Sequence, residues 1–395
     1  MRADIQKIKL ADGREVTITL KSDAFNIFDD AHANLWTFDH SARLIGMFVD
    51  GINYRRTLNN QFFEKTRERI NGEDYRDVKL TSRQIVEPLM IRGQTILDLS
   101  KSQLPEHFLD LSKQILSATI SNWDEDTVVF SNIYKPISIL PPDQYLSLVV
   151  QLTEGCNFNK CIFCNFYKDR PFRIKNEIEL KLHIQQIDDF FGKGISLRKS
   201  IFLADANAIV TPQQKLVKSI ELIRNQFPAI KSFYSFIDVF TGIKKTTKDF
   251  AELKSHGLKR VYLGIESGNS ELLDFLKKPQ IHENIIQLSE DLKQAGINLG
   301  VIFLVGVGGE VFYKQHLKDS LDITSKLNLS KGDFVYLSEF YNTNDDYKIA
   351  MQNAKIDLPS RVRVREMSNE FKLEMRKIVE KKVLVTAYDI QQFFY

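Results

Sequence analysis

From residue 146 onward the chain repeats one pattern, a short and almost unbroken apolar run followed by a longer amphipathic stretch. The runs are LSLVVQLT (146–153), SIFLADA (200–206), SFYSFID (232–238), RVYLGIES (260–267), LGVIFLVG (299–306) and DFVYLSEF (333–340). Runs this short with so little polar alternation suit strands buried on both faces. The stretches between them, at 176–192, 212–226, 247–256, 281–295 and 314–327, carry helical spacing. Three of them end near a glycine suited to a helix C-cap: Gly192, Gly257 and Gly296. Strands alternating with helices at this spacing predict a parallel sheet. Six such units are too few for the closed eight-stranded barrel. The predicted fold is therefore α/β, a partial (β/α)6 parallel barrel over residues 146–345.

The chain of 395 residues is longer than one core usually fills, so appendages are expected on both sides. Residues 1–145 read as an α+β accessory region. VTITL and LWTFDHSARLIGMFVDGINYRRTL alternate like hairpin strands, and helical segments are expected near 60–70 and 104–120. The stretch IYKPISILPPDQY (133–145) carries three prolines and reads as a linker. Residues 346–395 read as a mostly helical appendage ending in an aromatic tail, YDIQQFFY. No internal repeat or low-complexity segment is present.

Hydrophobic residues make up 43% of the chain and charged residues 27%, an ordinary globular balance. No apolar run approaches the roughly 20 residues of a membrane span. The N-terminus lacks the apolar stretch of a secretory signal, so a cytoplasmic location is the expectation. A net charge of +3 is too mild to argue for nucleic acid as a partner. Arg361, Arg363 and Arg365 alternate with apolar residues and read first as a solvated face, with phosphate binding as the rival.

Cysteine is used three times, and all three residues fall between Cys156 and Cys164. A chain this long that excludes cysteine elsewhere is not built on disulfides. The segment QLTEGCNFNKCIFCNFYKDRPFRIK (151–175) spaces them C-x4-C-x2-C, directly after the first buried run. Three thiolates on one loop can hold three irons of a cubane and leave the fourth iron open. A zinc site wants four ligands, and no histidine lies within or near the motif, although a distant one could complete it. With no further cysteine, a second cysteine-ligated cluster is excluded.

The loop resembles the cluster motif of the radical S-adenosylmethionine (radical SAM) superfamily, whose usual spacing is C-x3-C-x2-C with an aromatic residue before the last cysteine. Phe163 stands at that aromatic position, while the first interval is one residue longer, as in a branch with C-x4-C-x2-C spacing. The resemblance covers roughly 146–340. It implies a [4Fe–4S] cluster on Cys156, Cys161 and Cys164, with S-adenosyl-L-methionine as the second cofactor. Asp205, in LADANA (203–208), is then a candidate acceptor for the methionine ammonium, its rival reading being an Asx turn or helix cap. Glu266, in GIESG, falls where a polar group bonds the ribose hydroxyls, and Ser267 beside it is a second candidate. Gly306, in FLVGVGGE, matches a glycine-rich turn beneath the adenine; a dinucleotide fingerprint fails because position 311 is valine. Arg170 and Arg173 suit the methionine carboxylate, or are simply surface charges.

The activity implied is reductive cleavage of S-adenosylmethionine to a 5′-deoxyadenosyl radical that abstracts hydrogen from a substrate the sequence does not name. A low-potential donor such as a flavodoxin or ferredoxin would supply the electron. Methyl transfer, dehydrogenation, rearrangement and bond formation are equally compatible with these residues. Tyr167, Tyr234, Tyr262 and Tyr336 are candidate lining residues or ordinary core. The Asp-x-His-x-x-Gly fingerprint of a cobalamin domain is missing; Asp39-His40 has the wrong spacing. The rival class is a metal-binding interaction module, iron–sulfur or zinc, that turns over no S-adenosylmethionine.

Overall fold

Alternation of apolar and polar residues shapes the N-terminal part of the chain. The strands are β1 (Asp4–Lys9), β2 (Glu15–Leu20), β3 (Phe25–Asp29), β4 (Asn34–Phe38), β5 (Leu44–Val49), β6 (Ile52–Arg56), β7 (Phe62–Ile70) and β8 (Glu73–Thr81). Each pairs antiparallel with the next in one meandering sheet. Every second residue of β2, β3 and β4 points inward, so Val16, Ile18, Phe25, Ile27, Trp36 and Phe38 are buried. They pack with Met90 and Leu97 of α1 (Arg83–Ser100), Phe108 of α2 (Glu106–Ser117) and Trp123 of α3 (Asn122–Ile133). The Trp36 indole donates to the Leu89 carbonyl at 2.8 Å. A Cβ at Gly93 would lie 2.6 Å from the Trp36 ring, so glycine is what lets α1 lie this close.

The helix expected near 60–70 is instead β7. Its charged run favours a helix locally, but pairing with β6 and β8 satisfies the backbone along the strand.

The computed structural model describes residues 3–70, 73–341 and 344–388, and the chain divides into two units. Of the described residues, one takes in those up to Ile137 together with Gln185–Lys199; the other takes in Ser138–Ile184 and those from Ser200 to Tyr388. The division falls inside the proline-bearing stretch.

The second unit is built on a parallel sheet. Its strands are β9 (Leu148–Gln151), β12 (Ile201–Ala204), β13 (Phe233–Ile237), β14 (Leu258–Glu266), β15 (Asn298–Val305), β16 (Phe334–Glu339) and β17 (Leu384–Tyr388). Two further strands, β10 (Thr153–Glu154) and β11 (Arg173–Ile174), form a small antiparallel ribbon of their own. The seven-stranded order is β17-β16-β15-β14-β13-β12-β9, so neighbours in sequence are neighbours in space. Parallel strands need long crossovers. These contain α4 (Glu177–Phe191), α5 (Gln213–Gln226), α6 (Val239–Gly242), α7 (Thr247–Ser255), α8 (Ser270–Phe275), α9 (His282–Gln294), α10 (Gly309–Ser325), α11 (Asp345–Asn353) and α12 (Arg361–Ile378). Every residue of β9 and β12 is buried. After α9, Gly296 at φ +75° donates to Lys293 while Ile297 donates to Leu292, the paired bonds of a Schellman cap.

Six parallel strands were expected and seven are found among the described residues. The added one, β17, comes from a segment read as helical; its register against β16, Val335 opposite Val385, turns LVTAY into an edge strand. The aromatic tail beyond it lies outside the described residues. The proline-bearing stretch ends in a turn, Pro142–Gln144. There Asp143 accepts bonds from Arg260 at 2.7 Å, Tyr262 at 2.6 Å and Tyr336 at 2.7 Å, tying the turn to β14 and β16. Among the described residues no helix is long and apolar enough to cross a membrane.

Candidate active site

The second unit carries a cavity, partly open to solvent, beside the C-terminal ends of the parallel strands. Open parallel sheets bind ligands at this end. Its wall joins the cysteine loop to residues at or just beyond the C-terminal ends of β12, β13, β14, β15 and β16, among them Asn207, Asp238, Glu266, Leu304 and Glu339.

The loop is clamped at its base by the β10–β11 ribbon, where Glu154 stands opposite Arg173. Glu154 also accepts bonds from Arg173 at 2.7 and 2.9 Å and from Lys175 at 2.5 Å. Burial would raise the Glu154 pKa, but these two cations outweigh it and hold the group down to about 2. Arg173 reaches Glu179 as well, at 2.6 Å. It is therefore a clasp of the loop and is not among the residues lining the cavity.

Cys156, Cys161 and Cys164 all line the cavity, each half-buried, and Phe163 lies on the same wall. The extra residue of the first interval is taken up by a turn in which Asn159 adopts φ +51° and donates its N–H to the Cys156 sulfur at 3.3 Å. Ile162, between Cys161 and Phe163, is held on both sides: its N–H donates to Leu276 at 3.1 Å and its carbonyl accepts from Asn344 at 2.6 Å. Burial pushes the Cys161 thiol up to about 12 and Cys164 up to about 11; the neighbouring thiols and Glu266 add to the rise, and Lys278 opposes it. Among the described residues no three histidine, cysteine, aspartate or glutamate side chains converge as a formed metal centre. Protonated thiols repel no cation and attract none, so only deprotonation on metal binding would draw them together.

Asp205 does not line the cavity. Its carboxylate is consumed by Gln151 at 2.7 Å, the Gly155 N–H at 3.1 Å and Arg170 at 3.1 Å, which binds the start of the cysteine loop to the end of β12. Burial raises its pKa, with Arg170 pulling the other way. Arg170 is spent on Asp205 and Asp169 in the same way.

At this corner the cavity is lined by Asn207. Its amide nitrogen donates to Asp238 and to Thr241, and the Asn157 amide nitrogen donates to the same Asp238 oxygen at 3.4 Å. A carboxylate only accepts, so both amides must turn their nitrogens to it. Their carbonyl oxygens are then left buried and unpartnered on the cavity wall.

Glu266 lines the cavity as expected from its place at a strand mouth, at φ +63° beside an irregularity in the β14–β15 register. It is paired with Lys278 at 2.6 Å. Burial alone would lower the Lys278 pKa, yet Glu266 and Cys161 raise it above the usual value. Ser267 turns away from the cavity. Its hydroxyl bonds His316 Nδ1 at 2.7 Å, while His316 Nε2 donates to Leu304 at 3.0 Å. Gly306 also faces away, because the space a side chain would take there is filled by Val364 of α12, 2.8 Å from the Cβ position. Tyr167 and Tyr262 line the cavity; Tyr234 and Tyr336 are not among its lining residues.

The sequence reading missed Lys278, Asn207, Asp238 and Glu339. Asp238 ends one buried apolar run and Glu339 stands next to last in another, as Glu266 does in its own.

Residues 150–319 match the model of the Radical SAM superfamily. This segment resembles a radical SAM domain. Two curated relatives align with the chain. The 4′-phospho-dehydrooxetanocin synthase of Priestia megaterium is 26% identical over 219 residues, 50% of this chain and 28% of that protein. An uncharacterised methyltransferase of Synechocystis sp. is 26% identical over 275 residues, 66% of this chain and 48% of that protein. The chain thus spans less than half the length of either relative. Among solved structures, coproporphyrinogen III oxidase from Escherichia coli, a radical SAM enzyme, superposes with a TM-score of 0.44 at 14% identity, covering 64% of this chain and 55% of that one. The radical SAM superfamily uses a [4Fe–4S] cluster and S-adenosylmethionine. The donor set fits such a cluster: three thiols of one loop share one cavity wall, and no histidine or fourth cysteine is among the described residues lining it.

Proposed function

We propose that the chain is a radical SAM enzyme in which Cys156, Cys161 and Cys164 hold a [4Fe–4S] cluster beside S-adenosylmethionine. The observation that carries this is the meeting of all three cysteines of the chain on one wall of a cavity at the strand mouths. The chemistry the bound cofactors supply is reductive cleavage of the sulfonium carbon–sulfur bond, giving methionine and a 5′-deoxyadenosyl radical that takes hydrogen from the substrate. The electron comes from a low-potential donor of the flavodoxin or ferredoxin kind.

The chain's own residues bind, orient and exclude water. Asn207 and Asn157 present fixed carbonyl oxygens suited to an ammonium, which gives Asn207 the role first assigned to Asp205. The second oxygen of Glu266 suits ribose hydroxyls, and Phe163 offers a flat apolar wall. Phe158, Phe236, Phe240 and Phe340 keep much of the remaining surface dry, as a radical requires. In this reading the first unit is an accessory region, and the helices after residue 345 flank the core.

The test is anaerobic reconstitution of the purified chain with iron and sulfide, followed by addition of S-adenosylmethionine and dithionite. The wild type should show the broad visible bands of an iron–sulfur cluster and release 5′-deoxyadenosine. Each Cys→Ala variant should lose both. A bound metal without 5′-deoxyadenosine release would instead identify a metal-binding interaction module.

A further inference from the structure

Lys278 is the single cation among the described residues lining the cavity, and it sits among groups whose places are all fixed. Its ammonium donates to Glu266 at 2.6 Å and to the Gly264 carbonyl at 2.8 Å, and it stands 6.0 Å from the centre of the Phe163 ring. Both side chains of the pair are 10% exposed. The neighbouring backbone anchors them to the cysteine loop, since Ile162 donates to Leu276, two residues before Lys278. Room for the pair exists because position 264 is glycine: a Cβ there would lie 2.4 Å from the Glu266 oxygen and 3.1 Å from the Lys278 nitrogen. A salt bridge so sheltered is poor evidence of a stabilising device, because desolvation cancels much of its Coulomb gain. Its placement calls for another reason.

We infer that Lys278 and Glu266 set the reduction potential of the cluster held by Cys156, Cys161 and Cys164, the ammonium favouring the reduced state and the carboxylate opposing it. The inference rests on the proposed cluster. One electron from a low-potential donor would add one negative charge to the iron–sulfur core that the thiolates hold, and no bond is made or broken in that step. Charges this close in a partly dry cavity act through a low effective dielectric, so each should move the potential measurably. Because the two charges have opposite sign and stand side by side, their effects should largely cancel. The pair then trims the potential through the small difference between two opposed charges fixed beside the cysteine loop.

The experiment compares wild type, Lys278→Met, Glu266→Gln, the double variant and Lys278→Arg. Each is reconstituted anaerobically, assayed for iron and sulfide, and titrated under electron paramagnetic resonance without S-adenosylmethionine. Lys278→Met should shift the midpoint to more negative potential and Glu266→Gln to more positive. The double variant should fall between the two, and Lys278→Arg should stay with the wild type. Should Lys278→Met fail to fold with Glu266 left unpaired, the Glu266→Gln and double variants decide: a positive shift that the second substitution reverses supports the inference. Full clusters whose potentials do not move, or both single variants shifting the same way, overturn it alone. A wild type that takes up no cluster overturns it together with the proposed function.

Discussion

Ser267 shows how one residue's neighbours decide between cofactor and core. Its hydroxyl is committed to His316, whose pKa is driven by burial down to about 4, against the opposing pull of Asp319. The sign follows from linkage. In the unfolded chain a histidine takes a proton near pH 6.5, whereas folded His316 resists it until about 4. Stability from this group is complete above pH 6.5 and is lost as pH falls toward 4, by at most about 3 kcal/mol. Urea unfolding at pH 7 and pH 5 should show the wild type losing more than a His316→Asn variant; equal losses would rule this out. The cysteines and Phe163 were legible because spacing along one loop survives in sequence. That Asn207 and not Asp205 lines the cavity was not, since at the end of a strand the pleat no longer dictates which side chain faces it. Lys278 was hidden too. In KKPQ it reads as surface charge, and only the fold brings it to Glu266, twelve residues earlier in the chain.

Elements with a strong internal signal were readable, and those defined by their partners were not. The helices between the parallel strands announce themselves by apolar spacing and by terminal glycines, and they lie within a few residues of expectation. β7 and β17 carry no such signal: one is a charged run made a strand by neighbours on both sides, the other a short edge strand. α1 was missed for a related reason, since Pro88 interrupts its pattern. What α1 needs most is close access to Trp36. Gly93→Ala would place a methyl group against the indole ring with no room to receive it. The expected outcome is a loss of about 1–3 kcal/mol in thermal or urea unfolding, together with a shifted near-ultraviolet tryptophan signal. A variant as stable as the wild type would mean that α1 slides freely over the sheet.

At the level of the whole chain, the two units are not consecutive in sequence. Residues 185–199 belong to the first unit although they lie between β11 and β12. Within that unit Phe190 packs at a tilt against Phe130 with ring centres 5.9 Å apart, Arg43 lies 4.7 Å above the Phe190 ring, and Ser41 donates to the Phe191 carbonyl at 2.9 Å. A fragment of residues 138–395 would carry Phe190 and Phe191 without these partners. It should bind the dye ANS strongly and elute as aggregate where the full chain does not; a monodisperse fragment that ignores the dye would refute this. Descent is constrained in the same way. A crossover at the proline-bearing stretch would inherit only part of the first unit and leave its missing piece stranded in the recipient, so this pair of units must travel through evolution together or be rebuilt at two places at once.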